Sequence, residues 1–139
     1  MLSRSVAETE QLASQLASKL KGGEVLALLG DLGAGKTTFV RGLAKALGVS
    51  AKEYVRSPTF TLMNVYQGRL PLYHFDFYRL NELGSFEQLG FEEYFTANGV
   101  CVIEWAEKFP DILPPTHFKL HFKVIDENTR EIIVPGTLI

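Results

Sequence analysis

The eight residues Gly30-Asp31-Leu32-Gly33-Ala34-Gly35-Lys36-Thr37 fit G-x-x-x-x-G-K-[ST] at every fixed position. They lie between an apolar run, Val25 to Leu29, and a helical pattern, Thr37 to Leu47. Strand, glycine loop, helix leaves the chain few architectures. Glycines let the backbone curl so that successive N–H groups point inward at phosphate oxygens. The helix that follows adds its free N–H groups and the positive end of its dipole. Lys36 supplies a point charge for the β- and γ-phosphates, and the Thr37 hydroxyl is placed to ligand Mg²⁺. Leu32, Gly33, Ala34, Gly35, Lys36 and Thr37 are therefore expected to bind a nucleotide, with Lys36 in a solvent-facing cradle where it takes no part in core packing.

The rest of the pattern predicts an α/β sandwich around a mixed sheet. Ser5 and Glu8 have the spacing of a capping box, and Leu12, Leu16 and Leu20, with Ala13 and Ala17, make one apolar helical stripe. Gly22-Gly23 should end that helix, and Met1 to Arg4 reads as a lead into it. Val25 to Leu29 has the continuous apolarity of a strand covered on both faces. Phe39, Val40, Leu43 and Leu47 face inward on the helix after the loop, and Gly48 stops it. Thr59 to Tyr66 and Leu72 to Tyr78 flank a plausible hairpin connection. Glu82 to Phe95 reads as a helix despite Gly84 and Gly90, and Val100 to Ile103 as a second buried strand. Pro110, Pro114 and Pro115 enforce an irregular loop. Phe118, Leu120, Phe122 and Val124 then alternate with polar residues on a half-exposed strand, and Asp126 to Thr129 turns it into Glu131 to Val134. Helices alternating with strands, plus hairpins, argue a mixed central sheet flanked by helices, a single domain over residues 1–139.

Composition excludes several function classes. Apolar residues make up 46% and charged residues 22%, a globular balance rather than a disordered one. Fourteen basic against 16 acidic residues leave a net charge of −2, with no run of Lys and Arg to track a phosphate backbone, so autonomous nucleic-acid binding is not expected. No apolar stretch is long enough to span a membrane. A lone Cys101 excludes an internal disulfide and any multi-cysteine metal site, and reads as a small core residue. His117 and His121 share a strand face but have no third ligand nearby. A soluble, cytoplasmic protein is expected.

A phosphate-bound metal needs acids. Leu72-Tyr73-His74-Phe75-Asp76 is a rough apolar strand ending in an aspartate, forty positions after Lys36. That is ample chain to bring a second strand alongside the first. A solvated Asp at a strand end remains the alternative. Glu104 follows the buried run Val100 to Ile103, and an acid delivered at the edge of such a sheet is where ligand groups gather. An ordinary surface Glu is its alternative. Trp105 and Phe109 cannot be assigned to core or ligand, nor Arg79 to a charge-stabilising or a salt-bridge role.

Four motifs, taken together in order and spacing, resemble the TsaE (YjeE) family: Gly30 to Phe39, Ser57-Pro58-Thr59-Phe60-Thr61-Leu62, His74-Phe75-Asp76-Phe77-Tyr78-Arg79-Leu80, and Val102-Ile103-Glu104-Trp105. The resemblance spans nearly the whole chain and implies a P-loop NTPase-like fold. It further implies an ATPase needed to make threonylcarbamoyladenosine beside the tRNA anticodon, binding ATP with Mg²⁺. The implied partner is the TsaB–TsaD heterodimer, whose TsaD subunit transfers the threonylcarbamoyl group; tRNA would be met only through that complex, and no membrane is involved. Carried over by motif, Lys36 and Thr37 hold phosphates and metal and Thr38 the α-phosphate. Asp76 matches the Walker-B position and Glu104 the acid for metal and water handling, so Lys36, Asp76 and Glu104 are the implied catalytic set and Thr37, Asp76 and Glu104 the implied metal ligands. Thr59 lies in a switch-like segment, Ser57 to Thr61, and the region of Ser5 and Val6 lies near the adenine.

The alternatives are weaker. A small-molecule kinase shares the phosphate loop, but the arginines after Lys36 form no paired lid cluster. A GTPase would carry N-K-x-D and D-x-x-G, which are absent. A nucleotide-dependent binding module without turnover of its own overlaps the family reading.

Overall fold

Ser5 begins the first helix as its spacing from Glu8 requires. Its hydroxyl accepts the Glu8 N–H at 3.0 Å, and the Glu8 carboxylate turns back to the N–H of Arg4, so the helix start is capped from both sides. The structure, a computed structural model, describes residues 1–31, 33–53, 55–56, 63–78, 91–95 and 98–138. In it this helix is α1, Val6–Ala17. It stops well before Gly22-Gly23, contrary to the expected end. The Ser18 hydroxyl donates to Gln15 O at 2.7 Å, and the N–H groups of Lys19 and Leu20 close onto Leu16 and Ala17. The two glycines, at φ 107° and 90°, make the turn into the next strand, where the Glu24 carboxylate accepts the N–H groups of Lys21 and Gly22.

The strands are β1 (Leu2–Ser3), β2 (Val25–Gly30), β3 (Met63–Tyr66), β4 (Leu72–Asp76), β5 (Val100–Glu104), β6 (Phe118–Val124) and β7 (Arg130–Ile133); α2 spans Lys36–Ala46 and α3 spans Phe91–Phe95. They form one mixed sheet in the order β1-β7-β6-β2-β5-β4-β3. The central pairs β6/β2, β2/β5 and β5/β4 are parallel, and the outer pairs are antiparallel. The expected mixed α/β sheet is thus the fold. The start leads into α1 as expected, and its extended residues also form a strand of the sheet. Leu2 and Ser3 pair with Glu131 and Arg130, and Met1 exchanges backbone hydrogen bonds with Ile132. Two residues suffice because β7 presents an otherwise open edge of N–H and C=O groups.

Period-two alternation splits the core between the two faces of the sheet. Leu26, Leu28, Val102, Leu120 and Phe122 pack under α1 and α2, while Val25, Ala27, Phe75, Cys101 and Ile103 pack on the other side with Phe77, Phe95 and Ala106. Burying each large apolar side chain contributes about 1.5–3 kcal/mol. Gly42 lets α1 approach α2: a Cβ there would lie 2.7 Å from Glu10 Cα and 2.8 Å from Ala13 Cβ. Cys101 is the expected core residue, its thiol pushed up to about 12 by burial. Val124 is exposed, against expectation, because it sits at the outer end of the β6/β7 hairpin beside the turn. The proline loop forms two short 3₁₀ turns, Ala106–Lys108 and Pro110–Ile112.

Some expectations fall elsewhere. The strand expected from Thr59 is described from Met63, and the helix expected from Glu82 only as α3. The remaining parts of both lie outside the described residues, as do Leu32, Arg79 and the segment Ser57 to Thr61. No helix among the described residues is long and apolar enough to cross a membrane.

Candidate phosphate and cation site

The carboxyl ends of the parallel strands converge where α2 begins, so every side chain delivered there comes from the end of a buried element. Gly35 caps α2 at φ 97°, a left-handed conformation open to glycine, and no side-chain hydrogen bond caps the helix. A cavity of about 500 Å³ opens there, with Gly33, Gly35, Thr37 and Thr38 on one wall and Asp76, Glu104 and Trp105 on the other. Ala34 is the exception in the loop: its side chain is buried in the core under α2.

Lys36 departs from its expected solvent-facing position. It is 4% exposed, its Nζ donates to Gly30 O at 2.6 Å, and it lies 3.9 Å from the centroid of the Trp105 ring. No described carboxylate lies within ion-pairing distance of it. A buried ammonium whose short-range contacts are a carbonyl and an indole face, with the Asp76 charge acting from further away, is costly unless an anion joins it. Trp105 reaches it because the chain reverses straight after β5 at φ 61°, a conformation unusual for a residue with a Cβ and common at functional sites.

Glu104 is also 4% exposed, at the end of the strand that neighbours β2. Thr37 Oγ1 donates to it, at 3.2 and 3.3 Å from the two carboxylate oxygens, and His74 Nε2 lies 2.5 Å from Oε2. Asp76 stands one strand further out. The expectation of a second strand alongside the first holds for β5, which lies between β2 and β4, and not for the strand that carries Asp76. Asp76 and Glu104 are direct partners across β4 and β5 and therefore share a face. Burial pushes the Asp76 carboxyl above its ordinary 3.8; the Tyr78 N–H donated at 2.9 Å works against this, the neighbouring Glu104 charge adds to it, and the His74 and Lys36 charges oppose it.

A carboxyl whose folded value is raised costs stability above that value, and the cost disappears as the pH falls toward 3.8. Asp76→Asn should therefore melt at a higher temperature than the native chain at pH 7, with the difference closing near pH 4. Calorimetric melting across that range tests it; a lower melting point at pH 7 would contradict the electrostatic account.

The donor set is oxygen-rich: one hydroxyl and two carboxylates. Among the described residues no three His, Cys, Asp or Glu side chains converge on a metal site by themselves. That composition suits Mg²⁺, which is characteristically held by one or two carboxylates completed by phosphate oxygens. His117, by contrast, engages Pro114 O through Nδ1 at 2.7 Å. A second hollow of about 170 Å³ continues from Gly33, Gly35 and Thr38 to Ser5, Val6 and Arg130. There Arg130 Nε donates to Gly33 O at 3.2 Å and its Nη1 to the carbonyls of Asp126, Glu127 and Thr129.

Two residues of this site carried no role in the motif reading. Trp105 follows the terminal acid of a buried parallel strand, a position that faces the ligand edge. His74 shares sheet parity with Leu72 and Asp76, which puts all three on one face.

Comparison with known proteins places the chain in a family. The family described as Threonylcarbamoyl adenosine biosynthesis protein TsaE matches residues 3–132. The tRNA threonylcarbamoyladenosine biosynthesis protein TsaE of Treponema pallidum (strain Nichols) is 44% identical over 133 residues, covering 96% of this chain and 97% of its own. The protein of the same description from Bacillus subtilis (strain 168) is 45% identical over 126 residues, covering 90% and 77%. The crystal structure of Bacillus subtilis YdiB superposes with a TM-score of 0.81 at 40% identity, over 95% of this chain and 80% of that one. With the fold and nearly the full length in agreement, the chain belongs to the TsaE family of threonylcarbamoyl adenosine biosynthesis proteins.

Proposed function

We propose that this single-domain protein is a Mg²⁺-dependent ATPase, working in the cytoplasm on tRNA threonylcarbamoyladenosine formation with the TsaB–TsaD heterodimer. The observation that carries the ATPase reading is the buried Lys36 ammonium. It lies at the start of α2, has no described carboxylate within ion-pairing distance, and faces a cavity walled by two acids. An anion of high charge would satisfy it, and the α2 N-terminus with the glycine loop offers that anion further N–H donors. In this reading Lys36 leaves the Gly30 carbonyl for the β- and γ-phosphates, Gly33 to Thr38 and Leu32 cradle the phosphate chain, and Thr37, Asp76 and Glu104 face the metal. Mg²⁺, when bound, neutralises charge developing on the γ-phosphoryl group. Glu104, nearest the loop, orients the attacking water, and the hollow beside Ser5, Val6 and Arg130 takes the adenosine.

The chain's net charge of −2 and its lack of a basic stripe leave it ill equipped to modify tRNA alone. The names of its relatives supply the process, and the partner complex supplies the chemistry on tRNA, with this subunit coupling ATP turnover to resetting it. A nucleotide changes partner affinity only through its differential affinity for two states. Titration of purified TsaB–TsaD should therefore show tighter association with ATP than with ADP, and ATP hydrolysis, with γ-phosphate passing to water, should rise when the heterodimer is added. Equal affinity with ATP, ADP and no nucleotide would leave an ATPase without the coupling. Transfer to a small acceptor would favour a kinase.

A further inference from the structure

Behind the two acids stands His74, in the middle of β4, with its side chain fully buried. Its Nε2 lies 2.5 Å from Glu104 Oε2. A carboxylate only accepts hydrogen bonds, so Nε2 carries the hydrogen and donates it. The other ring nitrogen, Nδ1, has no hydrogen-bond partner among the described residues. A buried polar atom left unmet is destabilising, and an apolar side chain of similar size would fill this core position without it. What the imidazole supplies, and a leucine would not, is the hydrogen bond to Glu104.

We propose that His74 is a positioning residue for Glu104, holding Oε2 from within the sheet so that the carboxylate keeps its orientation toward Thr37 and the cavity. A glutamate side chain has three torsions and, at a strand end, several accessible rotamers. His74 has two, and the core packed around β4 locks them. Thr37 Oγ1, within 3.3 Å of both oxygens, meets the carboxylate from the loop side. The carboxylate is thus gripped from two elements, the first turn of α2 and the body of β4. Partners that orient a ligand or catalytic group from behind typically contribute about 10–100-fold to metal affinity or activity.

The proposal rests on the reading of Glu104 as the acid of Mg²⁺-dependent hydrolysis. The test uses the full chain with TsaB–TsaD, comparing single-turnover ATP hydrolysis, ADP affinity and melting temperature. His74→Leu should slow hydrolysis about 10–100-fold with ADP affinity nearly unchanged. His74→Gln, whose amide can still donate to Oε2, should recover most of the rate. In a Glu104→Gln background His74→Leu should add no further loss, because the two act as one unit. If His74→Leu fails to fold, His74→Gln against His74→Asn, whose shorter amide cannot span to Oε2, makes the same comparison. Native turnover in His74→Leu or in His74→Asn, equal losses in the Gln variant and the variant compared with it, or a full second loss in the Glu104→Gln background would each overturn the positioning role. Native turnover in Glu104→Gln alone would overturn the Glu104 reading and the positioning role together, whereas the other outcomes leave the Glu104→Gln loss intact.

Discussion

Lys36→Ala should weaken ATP binding at least ~100-fold, a loss of ~2.8 kcal/mol, while the protein stays folded. The size follows from the bonds removed: hydrogen bonds between an ammonium and phosphate oxygens contribute roughly 1.5–3 kcal/mol each, and a lysine bridging two phosphates makes at least two. The burial of Lys36 complicates its effect on the fold. Removing it leaves the Gly30 carbonyl without its 2.6 Å donor and a space beneath Trp105, both destabilising. It also removes a buried cation with no described carboxylate within ion-pairing distance, which offsets part of that loss. The two effects oppose each other, so the melting temperature should move little compared with the affinity. Titration calorimetry with ATP and Mg²⁺ provides the check, and a mutant that binds normally would sink the phosphate-loop assignment.

Glu104→Gln should slow single-turnover hydrolysis in the presence of TsaB–TsaD by about 10²–10³-fold, the scale of losing one preorganised electrostatic group, with ADP affinity nearly unchanged. The amide keeps the shape and one acceptor oxygen but loses the charge that meets the metal and the water. The register of the sheet ranks the two acids. Glu104 ends the strand beside β2 and is bonded to Thr37, whereas Asp76 ends the next strand out and is tied to the Tyr78 N–H. Asp76→Asn should therefore impair turnover less than Glu104→Gln. Equal or reversed losses would mean that the metal and the water are organised around Asp76.

The comparison of pattern with structure separates two kinds of information. The phosphate loop, the Ser5–Glu8 cap, the strand Val25–Gly30 and the inward face of α2 all depend on neighbours a few residues apart. Backbone sterics, capping and periodicity act over that range, so they are written in local order, and the strand–loop–helix around Gly30 to Thr37 was legible from spacing alone. Asp76 and Glu104 were legible as strand-end acids for the same reason.

Which strand lies beside which is a different matter, because any of several strand orders satisfies the same local pattern. Only the tertiary structure inserted β5 between β2 and β4 and so gave Glu104, rather than Asp76, the place next to Thr37. It also covered the open edge of β7 with Leu2 and Ser3, a pairing across the whole length of the chain that no local propensity announces. The burial of Lys36 under Trp105, and of His74 behind Glu104, arises in the same way. A polar residue in an apolar run carries no sign of its partner until folding brings that partner across the sheet. The sequence by itself determined the chemistry available at the edge of the sheet, and long-range strand order decided which groups meet there, because contact energies between distant segments depend on register and burial that exist only once the sheet has closed.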